Sequence, residues 1–185
     1  MKRFMVTFAI VFPALAAFAP VGAQQASDPA ARIAAQQQAM RPLSAIDGEW
    51  RGTTTEYRSD GTKLERGYVE RVTPLLDGTL KLLEGSKESV TGADDFHVIC
   101  VLSHDPETKQ YTMRAWYPEG AVFDVAFDAD AGTFGWHADR PGGARIVATG
   151  AIDGGVWRER IEFTVPGQAP RLLEERVLKR VGNGD

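Results

Sequence analysis

Several segments of the sequence place an aromatic side chain two residues from a charged one. Tyr68 and Glu70 have this spacing, and so do Arg114 and Trp116. Residues two apart lie on one face of an extended strand, so both members of such a pair can face a common interior. A few fixed charges in a mostly apolar lining orient an amphipathic molecule. The pattern therefore predicts a ligand-binding set that comprises Tyr68, Glu70, Arg114, Trp116, Trp136 and Arg145.

The alternation leaves open which face of each strand points inward. One alternative is that the charged residues lie on the solvated outer face and pair across neighbouring strands. Another is that the interior is an active site in which Glu70 or Glu159 acts as a general acid or base. Arg114 or Arg145 would then be the partner of that carboxylate.

No catalytic or metal-binding motif accompanies these residues in the sequence. The three histidines, His97, His104 and His137, have no second ligand at the spacing that a helix or a strand face requires. No serine lies on a glycine-flanked turn, and no glycine-rich phosphate-binding pattern is present. The single cysteine, Cys100, lies among apolar residues and is predicted to be a small buried side chain. We therefore assign no catalytic residue and no metal ligand.

Ten short segments must position the predicted ligand-binding residues. Turns rich in Gly, Asp and Pro separate them, and these residues adopt a positive or a fixed φ. The predicted strands cover residues 48–57, 64–73, 80–85, 96–103, 111–116, 121–127, 133–137, 144–151, 156–165 and 171–180. A meander of this kind usually closes on itself, because closure removes the exposed edges. The predicted fold class is all-β, an antiparallel up-and-down barrel wide enough to enclose a cavity.

Residues 1–23 have the order of a secretory signal peptide. A basic start at Lys2 and Arg3 precedes an apolar run, and small residues before Gln24 form the cleavage site. The apolar run is short and contains Pro13, which makes it a poor membrane-spanning helix. No later segment is long and apolar enough to span a bilayer. The chain is therefore predicted to be secreted, into the periplasm of a Gram-negative cell, without a stable membrane anchor.

Residues 24–45 are predicted to form a leader between the signal peptide and a barrel domain at residues 46–182. Within the leader, an Asp-Pro pair favours the start of a short helix over about Ala30 to Met40, which Pro42 ends. The leader either covers one end of the barrel or is a flexible tether.

The charge balance disfavours a nucleic-acid partner. The full chain has 21 basic and 25 acidic residues, and the signal peptide contains Lys2 and Arg3 but no acidic residue. The mature chain is therefore more acidic than the full chain. Nucleic acids and anionic membranes bind basic surfaces. The predicted partner is a small apolar or amphipathic molecule.

Three motifs resemble a bacterial secreted family of unknown function that is grouped with the calycins, the lipocalin-like barrels. They are residues 48–52 (GEWRG), residues 76–79 (LDGT) and residues 103–111 (SHDPETKQY) followed by Arg114. The resemblance covers about residues 43–180. It implies a barrel whose closed end is plugged by Trp50, which stacks on an arginine of the last strand. Arg176 and Arg180 are the two candidates for that arginine.

The layout is also similar to that of nitrobindin, a ten-stranded barrel that holds haem through a histidine near its C-terminal end. No histidine follows His137 in this chain. Haem is therefore disfavoured, and no cofactor is predicted.

Three classes of function remain open on the sequence. The chain is a binding barrel for a small apolar or amphipathic molecule, a filled barrel with a structural or interaction role, or an enzyme that uses an interior carboxylate and an arginine. A cavity with a lining of mixed polarity favours the first class.

Overall fold

A computed structural model describes residues 28–88, 96–130 and 132–182 of the 185-residue chain. The predicted signal peptide and the start of the leader lie outside the described residues. A helix, α1 (Pro29–Met40), leads through a 3₁₀ segment (Arg41–Ile46) into ten strands. The strands are β1 (Gly48–Tyr57), β2 (Lys63–Leu75), β3 (Leu80–Lys87), β4 (Phe96–Asp105), β5 (Gln110–Trp116), β6 (Val122–Asp130), β7 (Thr133–Asp139), β8 (Arg145–Asp153), β9 (Val156–Thr164) and β10 (Arg171–Arg180).

The strands form a closed antiparallel barrel in which each strand pairs with its neighbours in sequence and β1 pairs with β10. The structure thus confirms the predicted fold class. The predicted bounds of β1 and β10 match the structure, whereas most of the other strands are longer by a few residues than predicted. No helix among the described residues has the length and the apolar character needed to cross a membrane.

Gly52 allows the first and last strands to approach closely enough to close the barrel. It lies opposite Leu178 in the β1–β10 register. A Cβ atom at residue 52 would lie 2.1 Å from the carbonyl oxygen of Val177, far inside van der Waals contact. A side chain larger than hydrogen at this position would therefore push the two backbones apart.

Trp50 closes one end of the barrel, which we call the base. Its side chain is fully buried, and its indole Nε1–H donates a hydrogen bond to the carbonyl oxygen of Ile46 at 2.7 Å. The guanidinium of Arg180 lies 4.2 Å from the centre of the Trp50 ring and donates hydrogen bonds to the carbonyl oxygens of Ala45 and Asp47. Of the two candidate arginines, Arg180 is the one that stacks on Trp50.

The leader residues from Asp28 onward cover the base. The Asp28 carboxylate accepts a hydrogen bond from the amide of Ala30 at 3.1 Å and so caps α1. Tyr111 of β5 donates its hydroxyl to the carbonyl oxygen of Ala39 at 2.6 Å, which fixes the helix to the barrel. Pro42 ends the α-helix as predicted, but the chain continues as a 3₁₀ turn that buries Leu43 and Ile46 against the base.

The base half of the barrel is a packed apolar core. Aromatic rings meet edge to face across it: Trp50 on Trp157 with centroids 5.5 Å apart, and Trp157 on Phe134 with centroids 5.0 Å apart. Phe134 in turn stacks on Phe127 at 6.2 Å. This series of rings packs the base, and Phe134 and Trp157 also face the interior above it.

Candidate functional site

The interior above the base contains a cavity of about 230 Å³. It extends toward the end opposite Trp50, where Tyr117, Ile146 and Leu173 line it. Its two sides differ in chemistry. The side formed by β2, β3, β9 and β10, which we call the polar wall, presents Tyr68, Glu70, Lys87, Glu159, Glu174 and Arg176. The side formed by β4 to β8, the apolar wall, presents Val98, Cys100, Met113, Ala115, Val125, Phe127, Phe134 and Trp136.

Arg176 is the central cation of the polar wall. Its NH1 atom lies 2.9 Å from Glu159 Oε2, and its Nε lies 2.6 Å from Glu174 Oε1. Its guanidinium also lies 4.5 Å from the centre of the Tyr68 ring. Burial alone would lower the pKa of Arg176, but the phenol of Tyr68 and the surrounding carboxylates outweigh burial and hold this pKa well above its usual range. Arg176 is therefore a permanent charge that fixes its partners in place.

Lys87 extends this network toward the end of β1. Its Nζ lies 2.9 Å from Glu174 Oε2 and 2.7 Å from Glu56 Oε1. Burial alone would raise the pKa of Glu174, but Arg176 and Lys87 reverse this effect and lower the pKa to about 2. Glu174 is therefore an ionised carboxylate held between two cations, and Thr54 donates a further hydrogen bond to it at 2.7 Å.

Glu70 differs from the other carboxylates of the polar wall. Its Oε2 atom accepts a hydrogen bond from the Tyr68 hydroxyl at 3.0 Å. Among the described residues, no lysine or arginine forms an ion pair with it. Burial raises the pKa of Glu70 to about 7, and the nearby Glu159 adds to this effect, while Arg176 opposes it. Near neutral pH this carboxyl can therefore hold or release a proton.

Gly85 provides the space in which Tyr68 and Glu70 meet. It lies opposite Glu70 in the β2–β3 register. A Cβ atom at residue 85 would lie 2.3 Å from the Tyr68 hydroxyl oxygen and 3.0 Å from Glu70 Oε2. The glycine is therefore required by a close approach of these side chains to the β3 backbone.

The apolar wall is connected to the polar wall through Trp136. Its indole Nε1–H donates a hydrogen bond to Glu159 Oε1 at 3.0 Å while its ring lines the cavity. Cys100 also lines this wall. Burial, together with the charge of Glu70, raises the pKa of its thiol to about 12. The thiol is therefore protonated at neutral pH and adds a small, weakly polar surface.

Three of the six predicted ligand-binding residues line the cavity. Tyr68 and Glu70 lie next to each other on the polar wall, and Trp136 faces them from the apolar wall. The pair Tyr68 and Glu70 therefore lies on the inward face of β2, which the alternation alone left open.

The structure places Arg114, Trp116 and Arg145 on the outer surface, outside the cavity. On β5 the inward residues are Met113 and Ala115. Arg114 and Trp116 alternate with them and therefore point outward.

These outward residues have partners on neighbouring strands. Arg114 forms a two-point ion pair with Asp124 at 2.6 and 2.8 Å. Trp116 lies between Ile99 and Val122 across neighbouring strands. Arg145 pairs with Asp139 at 2.7 Å. The sequence left open the alternative that the charged residues lie on the outer face and pair across strands. Arg114 and Arg145 are arranged in this way.

The sequence-based ligand-binding set omitted Arg176, Glu174 and Lys87. Glu174 and Arg176 share a strand face in the sequence, and this spacing was the available signal. The third strand was predicted to end at residue 85, two residues before Lys87. The sequence therefore gave no reason to expect that Lys87 points inward. Of the residues proposed for an enzyme, Glu70 and Glu159 line the cavity, but the arginine beside Glu159 is Arg176.

The histidines do not contribute to the cavity lining. His104 packs edge-on against Tyr111 with ring centroids 5.0 Å apart, at the base end of β4. His97 is exposed and His137 is partly buried. Within the described ranges, no group of three or more His, Cys, Asp or Glu side chains is placed to hold a metal ion.

Comparisons with known proteins bear on the fold only. No protein family and no curated protein matches this sequence. The crystal structure of Rv2717c from M. tuberculosis is similar, with a TM-score of 0.58 and 13% sequence identity, over 78% of this chain and 98% of that one. A protein of unknown function from the DUF3598 family of Nostoc punctiforme aligns over 79% of this chain and 99% of its own, with a TM-score of 0.25 and 9% identity. The first similarity supports the barrel fold.

Proposed function

We propose that this chain is a secreted, lipocalin-like barrel that binds one small amphipathic molecule in its interior cavity. The observation that carries the proposal is the contrast between the two walls around one interior cavity. A guest with an apolar body and a polar group can contact both walls favourably, whereas a purely apolar guest would add no hydrogen bond or charge to the polar wall.

The cavity volume sets the size of the guest. An apolar cavity of about 150 Å³ holds benzene. By proportion, a cavity of about 230 Å³ holds about nine or ten non-hydrogen atoms, the size of a single ring with a short substituent. A haem is several times larger than this, and the described residues of the cavity lining include no histidine.

The lipocalin-like character of the barrel rests on its construction. Lipocalin-like barrels combine two features that this chain also has. Its antiparallel strands form a closed barrel, and Trp50 plugs one end with Arg180 stacked on its ring. The cavity of mixed polarity also favours a binding role over a filled structural barrel, because a filled barrel would have a continuous core in place of this space.

Calorimetry with 2-phenylethanol, a neutral molecule of suitable size, tests binding in the cavity. Ala115 lines the cavity on β5, and Ala115→Phe would occupy part of the space. Ala126 lies exposed on the outer face of the neighbouring strand, so Ala126→Phe is the matched control. We expect binding to the native protein and to A126F, and at least about a tenfold loss in A115F.

Equal affinity of all three proteins for 2-phenylethanol would show that the ligand binds elsewhere. No binding to the native protein, either of this ligand or of the two charged analogues used below, would contradict the proposed function.

Secretion has its own test. Full-length protein expressed in a Gram-negative host should appear in the periplasmic fraction with Gln24 as its first residue. Retention in the cytoplasm with an intact N-terminus would contradict this part of the proposal.

A further inference from the structure

The cations of the polar wall are already neutralised by carboxylates of the protein. Arg176 contacts Glu159 and Glu174, and Lys87 contacts Glu174 and Glu56. An anionic guest would have to displace one of these ion pairs before it could bind to a cation. Breaking a buried pair leaves an uncompensated charge, which is strongly unfavourable. The polar wall is therefore poorly suited to a carboxylate or a phosphate.

The residues that line the cavity carry a surplus of acid. Three carboxylates, Glu70, Glu159 and Glu174, line it together with the two cations Lys87 and Arg176. Glu159 and Glu174 are paired with these cations, so the surplus resides on Glu70. The Tyr68 hydroxyl supplies one hydrogen bond to Glu70 and no charge.

Aromatic surface faces this surplus carboxyl. Trp136 is held with its indole N–H on Glu159, and Phe127 and Phe134 lie further toward the base on the same wall. Aromatic faces attract cations as well as apolar groups. A guest with a positively charged nitrogen and a small apolar body would therefore find favourable contacts on both sides of the cavity.

We propose that the guest is a small primary amine with an aromatic or branched alkyl body, whose ammonium group pairs with Glu70. This assignment rests on the proposed function and adds the charge of the ligand to it. The ammonium would supply the counter-charge that Glu70 lacks, and the body would lie along the apolar wall.

The pairing makes binding depend on pH. The titratable and charged groups around Glu70 are Tyr68 on its own strand, Glu84 on β3, Cys100 on β4, Glu159 on β9 and Arg176 on β10. Tyr68 and Cys100 are neutral at neutral pH, and Arg176 keeps its charge. Since the pKa of Glu70 is about 7, its proton is the one that competes with the ammonium near neutrality. A primary alkyl amine, like a lysine side chain, stays protonated throughout this range.

Calorimetry with three ligands of similar shape tests the charge assignment: 2-phenylethylamine, 2-phenylethanol and phenylacetate. At about pH 8 we expect the amine to bind at least about tenfold more tightly than the alcohol, and phenylacetate to bind most weakly. At about pH 6 the amine should lose about tenfold in affinity, because most Glu70 carboxyls are then protonated, while the alcohol should change little.

Glu70→Gln is the decisive variant, because it keeps the shape of the side chain and removes its charge. It should bind the amine and the alcohol with similar affinity, and the pH dependence of amine binding should vanish. Glu65 lies exposed on the outer face of the same strand, opposite Thr55. Glu65→Gln is the matched control and should retain both the preference for the amine and its pH dependence.

The outcomes separate the two proposals. An alcohol or phenylacetate that binds as tightly as the amine would overturn the assignment of a cationic guest and leave the binding function intact. A preference for the amine that survives in E70Q would also overturn it. Absence of binding by all three ligands would contradict the proposed function itself, and the assignment with it.

Discussion

The two halves of the barrel interior are built from the same alternating strands but are stabilised in opposite ways. The base is an apolar core in which Trp50, Trp157 and Phe134 contact each other edge to face. The half above it holds a chain of buried charges that runs from Glu159 through Arg176 to Lys87. Burial of apolar rings stabilises a fold whether or not the rings have specific partners. Buried charges are tolerated only while each charge keeps its partner. We therefore expect the base to determine stability, and we propose that the cavity determines recognition.

The largest effect should come from the base. Trp50→Ala removes a fully buried side chain, its hydrogen bond to Ile46 and the surface on which Arg180 stacks. We expect the free energy of unfolding to fall by about 4–5 kcal/mol, measured by urea denaturation. Trp116→Ala on the outer face is the control and should cost about 1 kcal/mol or less. Similar losses in the two variants would contradict the role of Trp50 as the plug of the barrel.

The next effect should come from the centre of the charged network. Arg176→Met leaves Glu159 buried without its cation and leaves Glu174 with Lys87 alone, and we expect a loss of about 3–4 kcal/mol near neutral pH. The loss should shrink as the pH falls, because Arg176 helps to lower the pKa of Glu174 to about 2 and this stabilisation is lost as the pH falls toward that value. Urea denaturation at a series of pH values measures this. A loss that does not depend on pH would show that Arg176 acts through packing alone.

Glu70 should affect stability in the opposite direction. Its pKa rises from the usual 4.5 to about 7 in the folded protein, so the folded state binds the proton more tightly than the unfolded state does. Its contribution to stability is therefore fully present below about pH 4.5 and is lost as the pH rises through 7. Glu70→Gln should raise the free energy of unfolding by up to about 3 kcal/mol at about pH 8 and by little at about pH 5. Destabilisation by E70Q at the higher pH would contradict the surplus-carboxyl assignment.

The smallest effect should come from the outer face. Arg114 and Asp124 form a well-oriented but exposed ion pair. Arg114→Ala should change the free energy of unfolding by less than about 1 kcal/mol, and it should leave the affinity for 2-phenylethylamine unchanged. A marked loss of affinity would show that Arg114 contributes to binding in spite of its outward position.

The strand pattern and the turns carried most of the fold information in the sequence. Glycine, proline and aspartate mark the ends of the strands, and the bounds of β1 and β10 follow directly from them. The face of each strand was harder to predict. On β2 the inward face contains Tyr68 and Glu70, the pair that the ligand-binding set placed inside. On β5 both faces contain a large side chain, Met113 inside and Trp116 outside, so the period of two did not distinguish them.

The charged network could not be predicted from the sequence because it joins distant strands. Glu174 and Lys87 are 87 residues apart, and no local pattern relates them. A register shift between β9 and β10 at Leu172 and Glu174 also interrupts the inward–outward alternation of side chains at Glu174, where the charged network begins. Buried charge pairs are thus a property of the closed barrel and become visible only once its register is known.

Native mass spectrometry of the mature protein, purified from a periplasmic extract, tests the central claim most directly. We predict a bound species of about ten non-hydrogen atoms that is lost on denaturation, is present in Ala126→Phe and is absent in Ala115→Phe. The native protein at its bare mass, before and after incubation with 2-phenylethylamine, would contradict the claim that this cavity binds a small amphipathic molecule.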